Sequence, residues 1–133
     1  MLTYKIFLAS SSELESDRRS FEIFIARFSD DLINQKKHVR FELKIWERED
    51  TAIFNTRKQD QYNEYLETCE LFVLLYWAKM GKYTEEEFDI AYTRFKETGK
   101  PKIYIYKKTQ ELPDTTSDAD RKSVKDFDNK LIT

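Results

Sequence analysis

The 133-residue sequence has little histidine, cysteine, glycine or proline. It contains one cysteine, Cys69, and one histidine, His38, together with two glycines and two prolines. A lone cysteine forms no disulfide within the chain, and one cysteine with one histidine cannot supply the ligands of a zinc site. Because Gly81 and Gly99 are the two glycines, neither the glycine-rich dinucleotide fingerprint nor a P-loop is present. If the chain binds a nucleotide, it does so in another way.

Excess charge of one sign is also missing. The 23 Lys and Arg residues nearly balance the 25 Asp and Glu residues, for a net charge of -2, so the basic surface that nucleic-acid binding needs is not expected. No apolar run approaches the ~20 residues that span a bilayer, and the start, "MLTYKIFLASSS", lacks the basic region and cleavage site of a signal peptide. We therefore expect a soluble, cytoplasmic chain with no membrane or nucleic-acid partner. With 40% hydrophobic residues, its length suits one compact domain.

Neither lone residue is a strong candidate for chemistry. His38 lies in the polar stretch "NQKKHVRF", where a loop histidine is expected rather than a catalytic base. Cys69, in "LETCELF", is expected to be a small buried hydrophobic residue at the end of a helix rather than a nucleophile.

Apolar runs predict strands at four places. Residues 5–9, "KIFLA", and 71–77, "LFVLLYW", are mostly apolar without alternation, which is typical of central strands covered on both faces. The runs "RFELKIWE" and "KIYIYK" instead alternate Ile or Leu with polar or aromatic residues, which indicates flanking strands with one more polar face.

Segments of helical period lie between these strands. After the first strand, Ser12 and Glu15 are spaced as a capping box, and an apolar stripe follows at helical spacing: Leu14, Phe21, Phe24, Ile25, Phe28 and Leu32. The second connection carries Tyr62, Tyr65, Leu66 and Cys69 on a shorter helix. The third carries Phe88, Ala91, Tyr92 and Phe95, and Gly99 with Pro101 is expected to end that helix.

Alternating strands and helices predict an α/β fold with right-handed crossovers onto a parallel sheet. For this length we expect a flavodoxin-like, doubly wound sheet in the strand order 2-1-3-4, with a fifth strand not evident. Residues 1–108 would form the domain. Residues 109–133 are polar, with only Val124, Phe127 and Leu131 as a weak helical pattern, and we interpret them as the truncated end of the same domain. The fourth strand would then be an exposed edge, which a longer protein or a second copy would cover.

In an open doubly wound sheet, ligands bind beyond the carboxyl ends of the strands, where the strand order reverses. Here that point lies between the first and third strands. Three groups of residues follow the strand ends: Ser10, Ser11 and Ser12; Trp46 and Glu47; and Trp77, Ala78 and Lys79. Both tryptophans are candidate stacking platforms, with core aromatics as the alternative. The serines fit either a binding loop or an N-cap. Arg57 and Asp60 fit either a solvated helix start or a pair facing the crevice.

Three consecutive glutamates stand in "GKYTEEEFDIAY", at the start of the third helix. Acidic residues stabilise a first turn through the helix dipole, and Thr84 with Glu87 has the spacing of a capping box. The alternative is that one glutamate is a reagent in the crevice. By helical phase Glu86 points away from the apolar stripe, whereas Glu85 and Glu87 flank it, so the pattern alone does not choose among them.

Taken in order, "KIFLASSSE", "FELKIWERED", "DQYNEYLETCELFVLLYW", "GKYTEEEFDIAY" and "GKPKIYIYKK" resemble the Toll/interleukin-1 receptor (TIR) domain. The likeness is to its bacterial, defence-associated branch, which occurs fused to cyclic-nucleotide sensors such as STING-type receptors, and it covers Tyr4 to Lys108. The most specific match is an aromatic or polar residue followed by a glutamate and an apolar residue at the start of the third helix, here Thr84, Glu87 and Phe88. The Trp-Cys pair that precedes this glutamate in Toll receptors is replaced by "YT".

The resemblance implies an NAD⁺-cleaving enzyme with Glu87 as the catalytic residue and NAD⁺ as substrate rather than cofactor. It places Ser10 and Ser11 in the substrate loop and residues 46–55 in a loop of self-association. It also implies TIR–TIR contacts and coupling to a cyclic-nucleotide sensor domain, in prokaryotic antiphage defence. Included with the pattern, it favours a reagent over a cap at Glu87.

The chemistry suits a chain without a histidine base. Nicotinamide leaves NAD⁺ as a neutral base, so no acid is needed, and a carboxylate can stabilise the oxocarbenium-like ribose. Trp46, Trp77 and Tyr83 offer faces for the bases, while Ser10 and Ser11 offer hydroxyls, and no metal is expected. Two alternatives remain open: a non-catalytic TIR interaction module, and an enzyme like the nucleoside deoxyribosyltransferases.

Overall fold

The computed structural model describes residues 1–45 and 56–132, and in this part of the chain strands and helices alternate. The strands are β1 (Leu2–Ser10), β2 (Val39–Ile45), β3 (Leu71–Tyr76) and β4 (Lys102–Lys107). The helices are α1 (Glu15–Asn34), α2 (Thr56–Glu67), α3 (Lys82–Thr98) and α4 (Asp118–Ile132). A 3-10 turn, Ser12–Leu14, connects β1 to α1.

The four strands form one parallel sheet in the order β2-β1-β3-β4, as the apolar runs predict. Leu2 of β1 pairs with Val39 of β2, and Ile6 pairs with Leu71 of β3. Leu71 in turn pairs with Lys102, so that β4 lies at one edge. The flavodoxin-like architecture is confirmed for these four strands, and β3 ends one residue earlier than predicted, at Tyr76 rather than Trp77.

One face of the sheet carries a deep core. Phe7, Ala9, Phe72, Leu74 and Tyr76 project from β1 and β3 onto this face, where three helices cover them. The helices contribute these buried side chains: Tyr62 and Leu66 from α2, Phe88 and Ala91 from α3, and Val124 and Phe127 from α4. We call this layer the three-helix face.

The opposite face, which we call the α1 face, is thinner. Its buried cluster consists of Ile6, Leu8, Ile25 and Val73, with partly buried residues of β2 and β3 around it. The predicted apolar stripe of α1 is partly wrong: Leu14 and Ile25 are buried, but Phe24 is 60% and Phe28 41% exposed. A single helix lying over β1 and β2 buries only a narrow strip of its surface, and the wide stripe extends beyond that strip.

Helix ends agree with the sequence patterns only in part. Gly99 ends α3 in the left-handed conformation (φ 81°) and donates its N–H to the Phe95 carbonyl oxygen, as expected for a glycine C-cap. The capping box at Ser12 and Glu15 is wrong, because the 3-10 turn intervenes and α1 has no side-chain cap. Instead, Ser11, at the start of that turn, hydrogen-bonds Glu13 through its hydroxyl.

The weak pattern after Lys108 forms α4, which packs against the three-helix face. Val124 and Phe127 are buried, whereas Leu131 is exposed. Phe127 contacts the rings of Phe88 and Tyr76, with centroids 5.3 and 5.1 Å apart. These edge-to-face contacts attach α4 to both α3 and the sheet.

The two residues that composition singles out are structural. Cys69 is fully buried beside the three-helix face, and burial raises the pKa of its thiol to about 11. The thiol therefore stays protonated near neutral pH, as expected of a buried hydrophobic cysteine. His38 is exposed in the connection between α1 and β2, with a positive φ of 56°.

Candidate functional site

The crevice of this sheet lies at the carboxyl ends of β1 and β3, because the chain leaves these neighbouring strands toward opposite faces. From β1 it enters α1 on the α1 face, and from β3 it enters α3 on the three-helix face. Ser10 pairs with Leu75 at this end of the sheet, so the segments after both strands start side by side. The topology thus positions residues 10–14 and 77–81 around the expected binding point.

A carboxylate connects the two segments. Glu13 accepts a hydrogen bond from the Ser11 hydroxyl (2.6 Å) and another from the Ala78 backbone N–H (3.2 Å), both through Oε1. Ser11 is 3% exposed, so the first bond lies inside the protein. Glu13 therefore holds the loop after β1 against the loop after β3. The sequence gave no signal for it beyond one acidic residue in a serine-rich turn.

Two polar atoms beside this connection lack a partner in the described part of the chain. They are the second carboxylate oxygen of Glu13, Oε2, and the hydroxyl of Ser10, both buried. Buried polar atoms are almost always hydrogen-bonded in native proteins, so atoms of this kind are candidates for bonding a ligand. Glu13 Oε2 can accept a hydroxyl, and the Ser10 hydroxyl can donate or accept.

The first turn of α3 reaches the same place. Thr84 directs its hydroxyl toward the Ser10 carbonyl oxygen at 3.4 Å. The helix begins at Lys82 with Gly81 as its N-cap and without a side-chain cap, so the predicted capping box between Thr84 and Glu87 is wrong. Thr84 already lies inside the helix, where its hydroxyl bonds another strand rather than its own first turn.

The three glutamates have different surroundings. Glu85 is partly exposed and pairs with Lys130 of α4 at 3.4 Å, and Glu86 is also partly exposed. Glu87 is 4% exposed, with Phe88 and Ala91 buried on the same side of α3. Because Glu87 follows Thr84 by three residues, it lies on the helix face that Thr84 turns toward β1. Burial thus singles out Glu87, which helical phase alone does not.

The backbone that carries Glu87 is fixed from the neighbouring helix. Tyr62 of α2, which is fully buried, donates its hydroxyl to the Glu87 carbonyl oxygen at 2.7 Å. The Tyr62 ring in turn packs edge-on against Phe7 of β1, with centroids 5.2 Å apart. The buried carboxylate therefore sits on a segment held by hydrogen bonding and packing together.

Helix α4 adds a second set of contacts around the same helix. Lys130 pairs with Asp89 (2.6 Å) as well as with Glu85, so it bridges positions on both sides of Glu87. Burial acts to lower the pKa of Lys130, but these two carboxylates outweigh it and raise the pKa. The Ser123 hydroxyl accepts the Met80 backbone N–H at 3.0 Å, in the segment that leads into α3.

The carboxyl ends of β3 and β4 are joined to α4 by Asp128. It accepts hydrogen bonds from the Tyr76 hydroxyl and from Lys107. Burial acts to raise the pKa of Asp128, but the bonds from Lys107 and Tyr76 together lower it below its usual range. Burial, the bond to Asp128 and its charge raise the pKa of Tyr76, which stays a neutral donor.

The aromatic candidates are only partly described. Trp77 is partly buried and donates its Nε1–H to the Gln110 carbonyl oxygen at 2.8 Å, and the Lys108 ammonium lies 4.5 Å from its ring centroid. One side of this ring therefore already carries a cation. Tyr83 is partly buried next to Thr84. Trp46 lies outside the described residues, as do the side chains of Arg57 and Asp60.

The site thus combines several predicted residues with one that the patterns missed. Ser10, Ser11, Thr84 and the segment after β3 meet at one rim, with Glu13 between them and Glu87 one helical turn further along α3. Residues 1–45 and 56–132 contain no group of three or more His, Cys, Asp or Glu side chains suited to hold a metal ion. In the same stretches no helix is both long and apolar enough to cross a bilayer.

Comparison of the chain with models of known families, with curated proteins and with solved structures gives no match. The functional argument therefore depends on the fold, the geometry of the crevice and the residues in it.

Proposed function

We propose that the chain cleaves the nicotinamide–ribose bond of NAD⁺, as a TIR-type effector of prokaryotic antiphage defence that self-association activates. The observation that carries this proposal is the burial of Glu87, which is 4% exposed beside the crevice. Glutamate is rarely buried this far without a specific role, and the helix cap that would explain it is absent. The TIR resemblance assigns catalysis to this same residue.

The proposed reaction converts NAD⁺ and water into ADP-ribose, nicotinamide and a proton. The bond between ribose C1 and the nicotinamide nitrogen breaks, and its electron pair neutralises the pyridinium, so the leaving group needs no proton. Positive charge develops on the ribose, and the Glu87 carboxylate stabilises it in a site shielded from water. Water then attacks C1 and releases its proton.

The remaining rim residues fit the recognition of a sugar. Ribose hydroxyls donate and accept hydrogen bonds, which matches the unpartnered Glu13 Oε2 and the Ser10 hydroxyl. Because Ser11 and Ala78 hold Oε1 in place, the second oxygen is oriented before the substrate arrives. In this proposal Glu13 is a binding residue, and Ser10, Ser11, Tyr83 and Trp77 keep the substrate-binding roles expected from the sequence.

The test is to incubate purified protein with NAD⁺ and, separately, with pairs of deoxynucleosides and free bases, in dilute and in crowded solution. Release of nicotinamide supports the proposal. Exchange of bases between deoxynucleosides supports a deoxyribosyltransferase-like enzyme instead. No turnover under any condition, with assembly still observed, supports an interaction module, for which the exposed apolar residues of α1 are the favouring observation.

The substitution that tests the site is Glu87→Gln, with Glu85→Gln as matched control. We expect the Glu87 variant to lose at least a hundredfold in NAD⁺ cleavage, about 2.7 kcal/mol of transition-state stabilisation, because the amide keeps the size but loses the charge. The Glu85 variant should keep its activity, since Glu85 pairs with Lys130 away from the crevice. Thermal unfolding of both variants shows whether the fold persists. Full activity in Glu87→Gln with loss in Glu85→Gln contradicts the assignment.

A further inference from the structure

Helix α1 exposes a row of apolar side chains that no described residue covers. Ile23 is 52%, Phe24 60% and Phe28 41% exposed. The rings of Phe24 and Phe28 stack with centroids 6.0 Å apart. Together with Ser20, Arg27 and Asp31 these side chains line an open groove of about 280 Å³, which we call the α1 groove. A few exposed apolar residues are ordinary, but a contiguous lined row marks an interaction surface.

The α1 groove is complementary to itself. In an antiparallel helix pair with a two-fold axis between residues 25 and 26, each groove residue faces another groove residue of the second copy. Ser20 then faces Asp31, Ile23 faces Phe28, and Phe24 faces Arg27. These contacts are a hydroxyl with a carboxylate, an aliphatic with an aromatic side chain, and an aromatic ring with a guanidinium.

We propose that two copies of this chain associate through the α1 groove, with their α1 helices antiparallel. The groove presents both signs of charge beside apolar residues, so a uniformly acidic or basic partner would leave one charge opposed, whereas a second copy pairs every position. Such an interface is isologous, as in most homodimers. The inference deepens the self-association part of the proposed function and does not depend on NAD⁺ cleavage.

The size of the surface sets the strength of this association. A single helix pair covers less than the roughly 800 Å² per partner of standard stable interfaces. The dimer should therefore dissociate on dilution and form where a scaffold or a fused domain raises the local concentration. Weak contacts of this kind suit an effector that must stay inactive until it is gathered.

The first experiment is sedimentation equilibrium over a wide concentration range without NAD⁺, on the wild-type chain and two variants. Phe24→Ser removes the ring that Arg27 of the second copy faces, and it should weaken association at least tenfold. Ile33→Ser is the control, because Ile33 is also an exposed apolar residue of α1, at 40%, but lies outside the α1 groove. It should change association less than twofold.

The second experiment tests the register. Ser20 and Asp31 lie eleven positions apart on one helix, about 16 Å along its axis, so a short bismaleimide cannot join them within a chain. Ser20→Cys mixed with Asp31→Cys should cross-link in trans, whereas either variant alone should not. The buried Cys69 stays out of reach in all samples, and the wild-type chain controls for it.

Each outcome bears on the proposal. Association that Phe24→Ser weakens, with cross-linking only in the mixture, supports it. A chain that stays monomeric at millimolar concentration overturns it, and so does association that Phe24→Ser and Ile33→Ser weaken equally. Loss of NAD⁺ cleavage with intact association contradicts the enzyme and leaves this interface standing, so the two failures are distinguishable.

Discussion

The two faces of the sheet differ in how much protein covers them. On the three-helix face, 13 described residues form one buried cluster, and rings from β1, β3, α2, α3 and α4 contact each other within it. On the α1 face the buried cluster has four residues, and the helix that covers it leaves Phe24 and Phe28 exposed. The candidate catalytic residue belongs to the thick side and the candidate interface to the thin side. A carboxylate that must be held in place needs a rigid surround, whereas an interface must stay accessible.

The largest expected effect compares an aromatic residue of each face. Phe127→Ala should cost about 3 to 5 kcal/mol of unfolding free energy, because Phe127 is fully buried and its loss leaves a cavity. Phe24→Ala should change it by about 0.5 kcal/mol or less, because Phe24 is mostly in solvent. Urea unfolding of both variants, at a concentration where the chain is monomeric, measures the difference. Equal costs would show that the two faces are not energetically distinct.

A smaller effect concerns how α1 is attached. The Ser29 hydroxyl accepts the Phe41 N–H at 2.8 Å and donates to the Phe41 carbonyl oxygen at 3.0 Å, which joins α1 to the edge strand β2. Ser29→Ala leaves both backbone groups without this partner and should cost about 1 to 3 kcal/mol. Ser16→Ala, on the exposed side of the same helix, is the control and should change little. A neutral Ser29→Ala would mean that water replaces the hydroxyl.

The smallest effect is the pH dependence of the α4 contacts. The lowered pKa of Asp128 means that its contribution is present above the ordinary value of 3.8 and is lost as pH falls through its pKa in the folded protein. The raised pKa of Lys130 means that its contribution is present below 10.5 and is lost as pH rises through its folded pKa. Both contributions are therefore present between these values, and the acid loss belongs to Asp128.

The corresponding measurement is the unfolding free energy of wild type and Asp128→Asn across the acid range. Their difference, about 1 kcal/mol or less for a partly exposed pair, should shrink as pH falls below 3.8. Other carboxylates titrate in both proteins and cancel. A difference that stays constant with pH would assign Asp128 a role other than charge pairing.

The contrast between the faces also explains which predictions succeed. The strand order follows from runs such as "KIFLA" and "LFVLLYW", because burial on both sides demands apolar residues at every position. The stripe of α1 is wrong at Phe24 and Phe28, because periodicity shows which side of a helix is apolar but not how much of it a neighbour covers. Sequence alone therefore overestimates the cover on the α1 face.

For the site, position along the chain predicts more than local motif does. Ser10 and Ser11 are found at the expected strand end, because parallel strands bring their carboxyl ends together. The Thr84–Glu87 capping box is wrong, since the helix starts earlier, at Lys82, and a threonine-to-glutamate spacing occurs without a cap. Glu13 is missed because its importance lies in a contact with Ala78, 65 positions away, that no local pattern encodes. The role of Trp46 stays a prediction.

The hydrogen bond from Ala78 to Glu13 also provides a spectroscopic reporter. An amide hydrogen exchanges with solvent only when its bond opens, so the exchange rate of this N–H measures how often the loops after β1 and β3 separate. No substrate or label is required. Bound ribose that engages the second carboxylate oxygen would slow this exchange, and an amide spectrum would then report occupancy of the crevice residue by residue, even in a variant that turns nothing over.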